Sequence, residues 1–131
     1  MNLEVLRLTD YGIVIVSHQK DIAKGIVALI REVAKDVAIT YVGGTEDGGI
    51  GTSFEQVAAA ISQNPKNKLL AFFDLGSAKM NLEIAIETSD KQVELMLVPI
   101  LEGSYTAAAL LQANAAIDMI KSELSEMTLN K

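Results

Sequence analysis

Four consecutive β-branched residues, Ile13-Val14-Ile15-Val16, constrain this chain more than any other feature. A strand with one wet face alternates polar and apolar residues. An unbroken apolar run reads instead as a strand buried on both faces. Such strands belong to parallel sheets covered by helices, where ligands bind at the carboxyl ends of the strands. The strand pattern from Tyr11 to Ser17 ends on His18, the only histidine in the chain, and an amphipathic helix pattern starts just after it. The one imidazole is therefore expected where this architecture puts its chemistry. The plainer reading is a surface or capping histidine.

The rest of the chain keeps the same rhythm. Ile22, Ile26, Ile30 and Val33, with Ala23 and Val27, form a helical stripe. Val37 to Val42 reads as a second strand, and Gly43 to Gly51 as a glycine-rich loop. Phe54, Val57, Ala58 and Ile61 mark a second helix, with Thr52 or Ser53 as its N-cap and Asn64-Pro65 as its end. Leu69 to Phe73 is a third buried strand. Ser77 is placed to cap a third helix carrying Ala78, Leu82, Ala85 and Ile86. Val93 to Val98 is a fourth strand stopped by Pro99, and an alanine-rich helix runs from Glu102 to about Leu124. This βαβαβαβα order predicts an α/β fold, an open and mostly parallel sheet with helices on both faces.

Three divisions are expected: an N-terminal extension at 1–10, one domain over 11–125, and a loose C-terminal tail at 126–131. The extension matches neither pattern and reads as frayed chain or as an added edge strand. The alanines of the last helix, Ala107 to Ala109, Ala113, Ala115 and Ala116, suit close packing on the sheet or against a second copy; helix propensity alone also accounts for them.

Composition narrows the chemistry. A chain of 131 residues is long enough for one buried core. Half of it is apolar, yet no stretch approaches the roughly 20 apolar residues of a membrane span. The first residues lack the pattern of a secretory signal, so a cytoplasmic location is expected. The absence of cysteine excludes disulfides and thiolate catalysis. A single histidine makes a zinc site a poor fit. A net charge of −6 with no basic run argues against nucleic acid and suits a basic protein partner.

Four turns fall at the carboxyl ends of the expected strands: Ser17-His18, Gly51-Thr52-Ser53, Asp74-Leu75-Gly76-Ser77 and Leu101-Glu102-Gly103-Ser104. They converge if the first and third strands are neighbours. The glycine loop lacks the Gly-Lys-[Ser/Thr] ending of a nucleotide-phosphate loop. It is either a generic mobile loop or a place where backbone approaches a ligand closely. Asp74 is either a turn-former or an acceptor for His18 Nδ1–H, which would leave Nε2 with an outward lone pair. Gly76 and Ser77 offer N–H groups at a helix start, an anion site, although Ser77 is equally suited to a plain N-cap. A neutral imidazole so held is a nucleophile able to carry a phosphoryl group, with no metal or bound cofactor required.

These residues together resemble a known family. Ile-Val-Ile-Val-Ser-His18, Gly48-Gly-Ile-Gly51-Thr52, Asp74-Leu-Gly-Ser-Ala78 with Asn81 and Glu83, and Pro99-Ile-Leu-Glu-Gly103 look like the phosphotransfer subunit of the phosphoenolpyruvate-dependent dihydroxyacetone kinase. That subunit is one of the mannose-type A components of the sugar phosphotransferase system. The resemblance spans Tyr11 to Ser122 and implies strand order 2-1-3-4 in a homodimer. It implies that His18 is phosphorylated by the histidine-containing phosphocarrier protein and oriented by Asp74, with Gly51, Thr52, Gly76 and Ser77 around the phosphoryl group. The acceptor it implies is ADP bound in a dihydroxyacetone kinase subunit. Larger members fuse further carrier domains, so this chain is expected to draw phosphate from a separate protein. The segment before Tyr11 has no counterpart in the family pattern. Two other readings remain open here: an A component of a mannose-type sugar transporter, and a non-catalytic regulatory module on the same scaffold.

Overall fold

The computed structural model describes residues 10–131. The extension expected at 1–10, with its option of an added edge strand, lies outside the described residues except for Asp10. Four strands, β1 (Tyr11–Ser17), β2 (Ile39–Gly43), β3 (Lys68–Phe73) and β4 (Gln92–Met96), form one parallel sheet in the order 2-1-3-4. Between and after them run α1 (Lys20–Arg31), α2 (Phe54–Gln63), α3 (Lys79–Glu87), α4 (Ile100–Gln112) and α5 (Ile117–Ser125).

The β-branched run does what its composition dictates. Strand side chains alternate between the two faces of a sheet. Ile13 and Ile15 point into a core shared with α1, α4 and α5, including Ile30, Phe72, Ala107 and Ile120. Val14 and Val16 point the other way, into a core with α2 and α3 that includes Val57, Ile61, Phe73 and Leu82. All four are fully buried. Of the stripe on α1, Ala23, Ile26, Val27 and Ile30 face the core, whereas Ile22 is exposed.

The final helix differs from its sequence reading. It is two helices, α4 and α5, separated where Asn114 adopts a left-handed φ of 63°. Asn114 N–H donates to the Leu111 carbonyl and Ala115 N–H to the Leu110 carbonyl, each at 3.0 Å, which closes the helix end in a Schellman-type turn. Asparagine tolerates this conformation better than other residues with a Cβ. The flanking alanines favour helix and hide the break from any propensity reading. Ala107 and Ala108 are buried within the single chain, so this part of the alanine face packs on the chain's own sheet.

The tail is not loose either. Leu129 N–H donates to the Leu97 carbonyl at 2.8 Å, and Lys131 Nζ donates to the Phe73 carbonyl at 2.6 Å. Residues 129–131 are thus held to the chain just past β4 and to the end of β3.

Gly43 ends β2 beside the first turn of α1. A Cβ there would lie 2.6 Å from Lys20 Cα and 2.7 Å from the Gln19 carbonyl oxygen. Both are backbone atoms, so no side-chain rotation relieves the clash. Gly43→Ala is expected to destabilise the fold by about 2–3 kcal/mol, read as a lowered urea midpoint. An unchanged midpoint would mean that α1 does not sit this close to the sheet. Among the described residues, no helix is long and apolar enough to cross a membrane.

Candidate phosphoryl-acceptor site

The strand order makes β1 and β3 neighbours, with Val16 opposite Phe73. The next residues, Ser17-His18 and Asp74, leave the sheet side by side. From here β1 leads to β2 on one side of the sheet, while β3 lies on the other. This is the topological switch point where open α/β sheets place their ligands. Asp74 N–H still donates to the Val16 carbonyl at 3.3 Å, so the strand pairing itself carries the carboxylate to the histidine.

Asp74 accepts four hydrogen bonds. Oδ2 takes the Ser17 hydroxyl at 2.7 Å and the His18 backbone N–H at 2.9 Å. Oδ1 takes the His18 ring at Nδ1, 2.8 Å, and the Leu75 N–H at 2.7 Å. Burial pushes this carboxyl up, but the donors from Ser17, His18 and Leu75 outweigh it and hold Asp74 below its ordinary value. An ionised carboxylate only accepts, so the proton of its bond to the ring sits on Nδ1. In the neutral ring Nε2 then keeps its lone pair. The Ser77 hydroxyl lies 2.5 Å from Nε2, where it can donate to that lone pair.

The sequence places Ser17 in the turn that carries His18 but does not reveal its role. It is fully buried at the end of an apolar strand. Its hydroxyl donates to Asp74 and accepts the Gln19 N–H at 3.1 Å, so one side chain ties the carboxylate to the entry of α1. Gln19 is the N-cap of that helix, its Oε1 accepting the Ile22 N–H at 2.9 Å. A buried polar residue closing an apolar run was the available signal, since such groups are buried only with partners.

The other expected site residues are arranged less uniformly. Gly51, at φ 137°, donates its N–H to the His18 carbonyl at 2.8 Å. That N–H is therefore engaged, and Gly51 braces the His18 backbone. The glycine loop is not a loose connector: Thr45 N–H bonds the Gly49 carbonyl and Gly48 N–H the Thr45 carbonyl, each at 3.0 Å. Thr52 Oγ1 accepts from Asn81 Nδ2 at 2.8 Å, which pins the end of this loop to α3. Ser53, not Thr52, caps α2 through Gln56 N–H. Gly76 and Ser77 lie in a short 3₁₀ turn, Gly76–Ala78, that leads into α3. Ser77 makes no capping bond, because its hydroxyl turns to His18. Half of the fourth turn is committed to packing. Gly103 and Ser104 are buried within α4, and a Cβ on Gly103 would lie 2.3 Å from Val98 Cγ2.

The chemistry this permits is narrow. One imidazole, clamped at Nδ1, is 14% exposed at the carboxyl end of the sheet. The clefts between α2 and the end of α3, lined by Ala58, Ala85 and Lys91, and beside β2, lined by Lys20, Tyr41 and Gln56, do not include it. Fold and site together define a parallel α/β protein with a carboxylate-oriented surface histidine at its switch point.

The comparisons with known proteins agree. The profile of the family described as "PTS system fructose IIA component" matches residues 12–121, and the chain belongs to this family. It is 53% identical over 121 residues to the "PTS-dependent dihydroxyacetone kinase, phosphotransferase subunit DhaM" of Lactococcus lactis subsp. lactis, covering 92% of this chain and 98% of that protein. It is 50% identical to the phosphoryl donor subunit DhaM of "PEP-dependent dihydroxyacetone kinase 1" of Listeria innocua, covering 91% and 96% of the two chains. A solved crystal structure of a protein of unknown function superposes with a TM-score of 0.80 at 26% identity, covering 92% and 97%. A sigma-54 interaction domain protein from Enterococcus faecalis shares the fold, with a TM-score of 0.69 at 12% identity over 90% of each chain. The resemblance read from the motifs, and the sheet order it implied, both stand.

Proposed function

We infer that this protein is a phosphohistidine carrier. In this reading His18 takes a phosphoryl group from the histidine-containing phosphocarrier protein and hands it to ADP bound in a dihydroxyacetone kinase subunit. The ATP so formed phosphorylates dihydroxyacetone. The observation that carries the reading is the clamp on Nδ1 by Asp74, which makes Nε2, capped by the Ser77 hydroxyl, the nucleophilic nitrogen. The names of the Lactococcus and Listeria relatives, both subunits of dihydroxyacetone kinases, favour this acceptor over a sugar transporter.

The geometry supports the following steps. The Nε2 lone pair attacks the donor's phosphorus; the donor's P–N bond breaks and its electron pair returns to the donor ring. His18 becomes a phosphorylated imidazolium that keeps its Nδ1 proton, and the positive ring faces the Asp74 carboxylate. In the second transfer an oxygen of the ADP terminal phosphate attacks phosphorus. The Nε2–P bond breaks, its electrons return to Nε2, and neutral His18 is restored. The Ser77 hydroxyl must leave Nε2 before the first step, and in this reading it then donates to a phosphoryl oxygen. The surface around the site suits protein partners. Ile22, Ile50, Leu75 and Met80 are exposed on segments at the same end of the sheet.

Reconstitution tests the acceptor. The chain is mixed with labelled phosphoenolpyruvate, the two general phosphotransfer proteins, an ADP-loaded kinase subunit, the dihydroxyacetone-binding subunit and dihydroxyacetone. Label is expected in dihydroxyacetone phosphate. Label that stops on the chain would reject the kinase branch.

A further inference from the structure

The segment 127–131 delivers a cation to the wall of the site. Lys131 Nζ donates to the Phe73 carbonyl at 2.6 Å and lies 4.2 Å from the centre of the Phe73 ring. The backbone of Lys131 is held as well. Its carbonyl accepts from Lys79 Nζ at 3.3 Å, and its carbonyl carbon would lie 3.7 Å from a Cβ on Gly76. Lys131 is therefore clasped between the last residue of β3 and the Gly76–Lys79 turn. Phe73 immediately precedes Asp74, and the charge of the carboxylate that orients His18 acts on this ammonium.

We propose that Lys131 is a positioning residue of the phosphoryl-transfer site, its ammonium fixed on the Phe73 carbonyl to offset the negative charge gathered at Asp74 and on a phosphorylated His18. The proposal rests on the reading of His18 as the carrier. Transfer to Nε2 adds a dianionic phosphoryl group and turns the ring cationic, so the site gains one net negative charge. It does so beside an ionised Asp74, on a chain already at −6. A fixed cation at this place stabilises the phosphorylated state relative to the free one. The ammonium is coupled to the carboxylate: burial pushes Lys131 down, and Asp74 pushes it back up. Among the described residues, Asp74 is the charge that acts on this ammonium, with His18 and Lys79 on the same turns. His18 belongs to the reaction and Lys79 holds the Lys131 backbone.

The test equilibrates wild type, Lys131→Met and Lys131→Arg with phosphorylated phosphocarrier protein and measures the fraction of His18 phosphorylated. Lys131→Met keeps the length and packing of the stem without the charge. It is expected to lower the equilibrium constant about three- to tenfold, with the gap closing as salt is raised. Lys131→Arg is expected to restore most of the loss. Wild-type phosphorylation in Lys131→Met, or a loss that Arg does not restore, would overturn the proposal. In a second measurement, Lys131 Nζ is titrated by NMR without any phosphate. Asp74→Asn is expected to lower the pKa of the ammonium further; no change would show the two charges to be uncoupled and would also overturn it. Failure of the carrier reading looks different, because wild-type His18 itself would then stay unlabelled.

Discussion

His18→Ala is expected to take up no acid-labile phosphate above background from phosphoenolpyruvate and the general phosphotransfer proteins, while keeping its fold. The loss is total because nothing in the chain replaces the imidazole: there is no second histidine and no cysteine. Lysine and serine side chains do not form the same labile N–P linkage from a neutral, oriented ring nitrogen. The fold should survive, since the His18 side chain is not part of either core. Its removal leaves Asp74 with the Ser17 hydroxyl and the His18 and Leu75 backbone N–H groups as donors. A destabilisation of about 1–2 kcal/mol is expected from truncating a partly exposed side chain with two hydrogen bonds, to Asp74 and to Ser77. Normal labelling of the folded variant would move the acceptor elsewhere.

The second large effect belongs to Asp74. Asp74→Ala should slow transfer to His18 by about 10²–10³-fold, in the range found when a positioned proton-holding group is lost. Two things are lost together: the acceptor that fixes the proton on Nδ1, and the negative charge that faces the imidazolium formed on phosphorylation. Asp74→Asn separates them. It keeps the shape but not the charge, and its amide can present either a donor or an acceptor to Nδ1. Its rate should therefore fall between wild type and Asp74→Ala.

The same carboxylate gives a stability signature. Its folded pKa lies below its ordinary value of 3.8. The ionised form is therefore favoured by folding, and its contribution is fully present above the ordinary value. That contribution is lost as pH falls through the lower, folded value. Asp74→Asn should lack this part of the acid dependence in urea melts at pH 2–6, a window set around the usual aspartate range. A rate for Asp74→Ala equal to wild type would remove the orienting role altogether.

Much of this site was legible before any coordinates, for reasons that can be named. The Ile13–Val16 run reports burial on both faces, and His18 is simply the next residue but one. Asp74 follows an equally apolar strand, so both lie at strand carboxyl ends by pattern alone. What brings them together is the pairing of β1 with β3, a long-range fact that local periodicity does not contain. The motif resemblance supplied that order. Other features were invisible for physical reasons. Ser17 looks like a strand terminus, and only its burial beside Asp74 shows that its hydroxyl is committed. Ser77 has the composition of an N-cap, but tertiary competition from Nε2 takes its hydroxyl. The break at Asn114 sits among alanines whose helix propensity argues for continuity. Lys131 lies in a segment with no period, so its place against Phe73 depends wholly on packing at the end of the sheet.

The central claim is that Asp74 holds the proton on Nδ1 and leaves Nε2 to take the phosphoryl group. The most direct measurement is NMR of the phosphorylated chain with ¹⁵N-labelled histidine, reading which ring nitrogen couples to phosphorus. Coupling is expected at Nε2 of His18, with Nδ1 still protonated. A phosphoryl group on Nδ1, or on any residue other than His18, would contradict it.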